Sequence, residues 1–211
     1  KETAATFLEK TFQVPCHRLG LPIGIDATDR MFAALAEISG RPTPDKHLRE
    51  RGRLIDSYAD GHKYVMGARA VVFGEEDLVA GLAGFLAEIG VVPVVCASGG
   101  RSGQLAACIA ESLPDPIQKG IQVLSDADFV AIEAAAREVR PDFLIGNSKG
   151  YSMARRLGKP LIRVGFPIHD RIGGPRLLHL GYRGSQQLFD RIANTLMAAR
   201  QSASPVGYTY I

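Results

Sequence analysis

The densest group of side chains able to do chemistry lies in residues 163–184, RVGFPIHDRIGGPRLLHLGYRG. Arg163, His169, Asp170, Arg171, Arg176, His179, Tyr182 and Arg183 stand there among five glycines and two prolines. An aspartate and an arginine beside His169 can orient an imidazole for ligand contact or proton transfer. The same residues can equally fix the shape of a long loop or meet another subunit. Two shorter segments offer anion chemistry. In ASGGRSG (97–103), Arg101 sits in a glycine-rich turn ahead of a helix, where backbone N–H groups and a guanidinium could hold an anion. A plain tight turn also explains those glycines. In GNSKG (146–150), Asn147 and Ser148 could touch a ligand or simply cap the next helix.

Asp56 and Asp60 are four residues apart on a helix, so both carboxylates leave the same face. Such a pair can supply part of a hard cation's oxygen shell, with a partner chain completing it. A solvated face paired with Arg49 and Arg53 fits the same spacing. The cysteines are less promising. Cys96 ends a strand and Cys108 lies on an apolar helix face, as buried small hydrophobes would; Cys16 stands beside His17, and no CxxC occurs. The loop after the first strand is GEED (74–77), whose carboxylates would repel a dinucleotide pyrophosphate. There is no Walker A loop and no nucleophile elbow. Common nucleotide and hydrolase chemistry therefore has no support, and no catalytic residue is assigned.

The elements that must position these residues follow from hydrophobic pattern. Residues 14–25 read as an extended connector. A helix capped by Asp26 or Thr28 runs to Gly40 with Met31, Leu35 and Ile38 on one face. Asp45 opens a longer helix to about Met66, with Leu48, Ile55 and His62 near one stripe. From residue 68, strands 68–73, 91–96, 121–124, 142–145 and 161–164 alternate with helices 76–89, 103–112, 127–139 and 151–157. A last helix covers 184–200. Near-continuous apolar strands separated by helices predict an α/β fold: a Rossmann-like parallel sheet flanked by helices, with an N-terminal helical segment. The expected division is 1–66, a connector and helices ending a preceding domain, and 67–211, the sheet domain with its C-terminal helix.

The chain has 211 residues, 46% hydrophobic, which supports a real core and excludes a disordered chain. A net charge of +3 is too dispersed for a nucleic-acid partner. Three cysteines cannot form a disulfide framework. No apolar run approaches the roughly 18 residues of a membrane span. A cytoplasmic location is expected, with no membrane partner. The chain begins Lys1-Glu2 rather than with Met, which reads as a piece of something longer.

Five motifs in order carry a resemblance: PIG-x-x-x-TD (22–29), RGRL-x-D (51–56), IGNS (145–148), GFP-x-x-DR (165–171) and GYRG (181–184). Together, over most of residues 14–200, they resemble β-type chains of the nitrogenase component 1 family. Family members are built from three α/β domains, and this chain resembles the C-terminal part. Two kinds of β-type chain are implied. One is the catalytic β subunit of an oxidoreductase, which pairs with an α subunit and ligates half of a P-cluster. The other is the biosynthetic scaffold NifN, which pairs with NifE while an iron–sulfur precursor matures into the iron–molybdenum cofactor. DRIGG followed by GYRG, without a histidine-rich loop, and the short tail QSASPVGYTYI resemble the scaffold more closely.

The resemblance places cluster-ligating cysteines upstream. No cofactor is then expected on this stretch alone; the iron–sulfur cluster and the iron–molybdenum cofactor precursor belong to the full-length complex. It implies an α-type (NifE-like) partner in a heterotetramer, and a reductase component, the iron protein. Asp56 and Asp60 fall in the helix where catalytic β subunits hold an inter-subunit metal. Arg101, Asn147, Ser148, His169 and Arg171 remain the candidate cofactor contacts, in or near the sheet-edge loops.

Overall fold

The computed structural model describes residues 3–113 and 115–206; the last residues of the tail (207–211) fall outside that range. The chain runs α1 (Ala4–Phe12), α2 (Ile25–Ser39), α3 (Asp45–Val65), β1 (Arg69–Phe73), α4 (Glu76–Glu88), β2 (Val92–Ala97) and α5 (Leu105–Ser112). It continues through a single turn α6 (Asp115–Gln118), β3 (Gln122–Leu124), α7 (Phe129–Val139), β4 (Phe143–Gly146), α8 (Tyr151–Leu157), β5 (Leu161–Arg163) and α9 (Gly181–Ala203).

Five parallel strands form one sheet in the order β3-β2-β1-β4-β5. Val72 of the central strand lies between Cys96 and Ile145. Alternating side chains divide the strands between two cores. Ala70, Val72, Cys96, Phe143, Ile145 and Ile162 pack with α4, α5 and α9 on one face. Val71, Phe73, Val95, Ala97 and Leu144 pack with Ile132, Ala135 and Ala136 of α7 and Met153 and Ala154 of α8 on the other. Both faces are covered, so the strands need apolar residues at successive positions; the α/β expectation rested on that texture.

The N-terminal helices differ from the periodicity reading. Leu35, Ile38, Leu48 and Ile55 are exposed. In α3 the inward stripe is one residue out of step with the expected one: Leu54, Tyr58, Gly61 and Val65 face the domain, with Leu54 and Val65 fully buried. The cause is α9. Phe189 occupies the space above Gly61, where an added Cβ would come within 2.6 Å of its ring. A glycine and a tyrosine do not register as an apolar stripe, yet they are what lets the two helices approach. Ile23 and Val65 join the same core as β1 and β4. Residues 4–12, ahead of the connector, form α1: the Thr3 hydroxyl accepts the Thr6 N–H and Gln13 ends the helix in the left-handed region. α9 begins at Gly181 rather than 184, because the Gly181 N–H is tied to the Pro22 carbonyl at 2.7 Å.

Candidate functional site

Three of the motif segments converge on one carboxylate. Asp29 of α2 accepts two bonds from Arg51 Nε (2.9 and 3.0 Å) and one from Arg51 Nη2 (2.9 Å). Its Oδ1 also accepts the Tyr182 hydroxyl at 2.6 Å. The Tyr182 ring, buried at the start of α9, stacks on Phe32 with centroids 5.5 Å apart, and Phe32 packs on His47 at 4.8 Å. Burial pushes the Asp29 carboxyl upward, but the Arg51 and Tyr182 donors outweigh it and hold the group below its ordinary value. Burial and the same carboxylate push the Tyr182 hydroxyl up. The arrangement is a neutral phenol and a charged fork fixing one carboxylate, a clamp across α2, α3 and α9.

The backbone around the clamp is tied by the same motifs. Thr28, fully buried, donates to the Gly24 carbonyl at 2.6 Å, and Ser185, equally buried, accepts the Gly24 N–H at 2.7 Å. Gly184 of GYRG presses on His179, where a Cβ would stand 2.6 Å from the backbone carbon. The N-terminus of α2 has no side-chain cap of its own. Glu88, the last residue of α4, supplies one by accepting the N–H groups of Ile25 (2.7 Å) and Asp26 (2.9 Å). Tyr58 of α3 donates to the same carboxylate at 2.8 Å. A carboxylate at a helix N-terminus also meets the favourable end of the helix dipole. Sequence spacing gives no sign of this, since Glu88 stands 62 residues from the helix end that it caps.

In a sheet of this order, ligands bind where the winding reverses, between the carboxyl ends of β1 and β4. Beside that point the Phe73 ring, part of the core on one face of the sheet, lies against Gly146 and Gly150, so a Cβ at either position would collide with it. The neighbouring turn 97–103 is held by Glu76. Glu76 accepts both the N–H and the hydroxyl of Ser102, and an added Cβ at Gly100 would meet its carboxylate at 2.5 Å. The Gly100 N–H goes to Ser98 Oγ and the Gln104 N–H to Ser102 Oγ. Donors that would serve an anion already hold a carboxylate and hydroxyls. Arg101 points into solvent and pairs with Asp126 at 2.7 Å.

The structure brings Asn147, Ser148, His169 and Arg171 to one end of the sheet, beyond β4 and β5, and leaves Arg101 apart. Asn147 caps the turn 148–150 by accepting the Lys149 N–H at 3.1 Å. Ser148 Oγ donates to the Pro167 carbonyl (2.9 Å) and accepts the His169 N–H (3.2 Å), locking IGNS to GFPIHDR around a cis Phe166–Pro167 bond. Arg163 grips Asp170 with Nε (2.8 and 2.9 Å) and Nη2 (2.5 Å), holding its carboxyl below the usual range. Arg171 adds a bond to the Asp170 carbonyl. The His169 ring is exposed. His179 is different: its Nε2 is buried with no hydrogen-bond partner among the described residues, and burial, with Arg191 nearby, brings the imidazole down to about 4. Asp56 and Asp60 are exposed on the outer face of α3, and neither forms an ion pair among the described residues.

Neither Cys96 nor Cys108 stands in surroundings that suit an iron–sulfur ligand. Cys96 is fully buried in β2, and burial pushes its thiol up to about 12. Burial and then Glu111 raise Cys108. Thiolate is the ligating form, and both surroundings oppose it. Among the described residues no group of three His, Cys, Asp or Glu could hold a metal ion.

A parallel sheet covered on both faces, with motif residues that tie its helices and loops together, defines an α/β domain. The model of the nitrogenase component 1 type oxidoreductases matches residues 1–197. The nitrogenase molybdenum-iron protein beta chain of Methanothermobacter marburgensis is 39% identical over 197 residues, covering 93% of this chain and 42% of that one. Its counterpart in Azotobacter vinelandii is 36% identical over 207 residues, 93% of this chain and 39% of that one. A solved structure described as nitrogenase Cp1 at pH 6.5 superposes with a TM-score of 0.90 at 30% identity, covering 97% of this chain and 45% of the other. The chain belongs to the nitrogenase component 1 type oxidoreductase family, as a β-type chain. It spans about two fifths of the length of these curated relatives. Among the described residues no helix is long and apolar enough to cross a membrane.

Proposed function

We propose that this chain is the C-terminal region of a β-type subunit in a nitrogenase component 1 complex, supplying fold and subunit-facing surface while the cluster ligands come from elsewhere in the longer polypeptide and its α-type partner. One observation carries this reading. The motif residues Asp29, Arg51, Ser148, Asp170 and Tyr182 each hold another part of this chain, as structural elements of a larger assembly would. An iron–sulfur cluster and the iron–molybdenum cofactor or its precursor then belong to the complete complex, with the iron protein as reductase.

Of the two β-type forms, we favour the catalytic oxidoreductase subunit, because the relatives at 36–39% identity are named as nitrogenase beta chains, and a vanadium-iron beta chain of Trichormus variabilis is also 36% identical. The NifN-like scaffold, paired with a NifE-like subunit, is the second reading, and the loop Arg171-Ile172-Gly173-Gly174 ahead of GYRG supports it. Expressing a full-length gene with its α-type partner and iron protein separates them. Acetylene reduction is expected for the first; binding of a cofactor precursor without turnover would overturn it in favour of the second. Asp56 and Asp60 enter the same reading as one side of a divalent-cation site shared with a partner subunit.

A further inference from the structure

We propose that Arg191 of α9 and His179 of the loop before that helix hold a carboxylate brought from outside this chain, at the carboxyl end of β5. The site is the same whether the subunit is catalytic or a scaffold.

Arg191 stands apart from the other arginines packed on the fold. Arg51, Arg156 and Arg163 each grip a carboxylate with two nitrogens. Arg191 has no carboxylate partner among the described residues. Its Nη1 donates to the carbonyl of Arg163, the last residue of β5, across a long 3.4 Å. The side chain is partly buried, and burial lowers the guanidinium from its ordinary value. A desolvated charge without a counter-ion is costly. The neighbouring acids do not supply one. Asp170 is taken by Arg163. Asp190, the adjacent residue on α9, points about 100° round the helix, and burial raises its carboxyl where a paired cation would lower it.

His179 faces the same side of α9. Its backbone lies on Gly184, where an added Cβ would stand 2.6 Å from the His179 carbonyl carbon. Arg191 follows Gly184 by two helical turns and so shares that face. The imidazole feels the Arg191 charge. Among the described residues, His179 Nε2 is the one buried side-chain nitrogen or oxygen with no hydrogen-bond partner. The residue as a whole is partly exposed, and the soft terminal torsion of the ring lets its buried and outer edges exchange.

A carboxylate answers both groups at once. Its two oxygens match the guanidinium fork and one imidazole N–H. Its charge also favours the imidazolium that Arg191 alone disfavours. A small acid in solution and an acidic side chain of another subunit would both bring this chemistry.

Histidine Cε1–H NMR of the 13C-labelled full-length β-type chain tests the proposal, with malonate compared against sodium chloride at equal ionic strength and His179 assigned through His179→Gln. Malonate should move the His179 signal saturably and raise its titration by about one pH unit. Arg191→Gln should abolish the response. Arg191→Lys, which keeps the charge, should retain a weakened one and decides the matter if the glutamine variant does not fold. Assembly with the α-type partner separates the two sources. An acidic side chain of the partner predicts that Arg191→Gln weakens assembly about fivefold and that malonate competes with it. A free acid predicts unchanged assembly. A His179 signal that malonate moves no more than chloride does would overturn the proposal. So would an undiminished response in Arg191→Gln, or one that emerges only in Asp190→Asn, which would make Asp190 the counter-ion.

Discussion

The Tyr182 hydroxyl and the Asp29 carboxylate, 153 positions apart in sequence, meet at 2.6 Å. With Arg51 completing the contact, one carboxylate joins α2 and α3 to the C-terminal helix α9. Tyr182→Phe keeps the ring that stacks on Phe32 and removes only the donor. A hydrogen bond to a charged group contributes about 1.5–3 kcal/mol net, reduced here because Asp29 is partly solvated. Urea unfolding should show a loss of roughly 1 kcal/mol with an unchanged m value. An effect indistinguishable from zero would mean that water replaces the phenol without cost.

The acid limb of stability should have two parts. His179 titrates at about 4 in the folded chain against an ordinary 6.5, so between those values the unfolded state binds more protons and stability falls as pH falls. His179→Leu should flatten that segment. Below it, Asp29 and Asp170 are held under their ordinary values, and Glu133, gripped by Arg156 and Arg137, is brought down to about 2. Their contribution is present above the ordinary carboxylate range and is lost as pH drops through the lowered values. Asp29→Asn should make this lower segment less steep. Urea midpoints from pH 7 to pH 2 would resolve both.

Two glycines on α3, nine residues apart, should respond with opposite sign. Nothing lies within 4 Å of a Cβ added at Gly52, so Gly52→Ala should stabilise by about 0.5–1 kcal/mol through helix propensity. At Gly61 the Cβ would meet the buried Phe189 ring at 2.6 Å, so Gly61→Ala should destabilise by about 1–3 kcal/mol. Thermal midpoints of the two variants check the α3–α9 register directly.

That register marks where the sequence was readable. Strands β1, β2 and β4 announce themselves as apolar runs, and α8 ends at Gly158 as its pattern suggests. On α3 the inward face carries Tyr58 and Gly61, with Arg51 one turn before Leu54; periodicity records residue type, whereas burial is decided by what α9 places opposite. The clamp residues were visible only as members of motifs, since nothing local says that the Asp of TD, the first Arg of RGRL and the Tyr of GYRG share a contact. Glu88 left no trace, because its work as a cap depends on a helix end brought to it from 62 residues away. In the turn 97–103 the contact of Glu76 with Ser102 was equally silent, because it joins residues 26 positions apart.

If Asp56 and Asp60 share a divalent cation with a partner subunit, the full-length complex should weaken on exposure to chelator and recover with added cation. Asp60→Asn should reproduce the weakened state and remove the chelator response, as read by sedimentation. Equal assembly with and without chelator in the unaltered complex would return the pair to an ordinary solvated face.

The thiols offer a test of the proposal that cluster ligands come from outside this region. Cys96 has no exposed surface and a thiol at about 12, so it should resist a thiol reagent at pH 8 until the chain unfolds. Cys108 is only partly buried, with its thiol raised by burial and by Glu111, and should react slowly. Cys16, in the connector, should react first. Incubating the reduced 211-residue chain with iron and sulfide should leave this order and these rates unchanged. Protection of Cys16 together with Cys108 in that experiment, with iron retained on desalting, would place a cluster on this region and sink the assignment of the ligands to other parts of the complex.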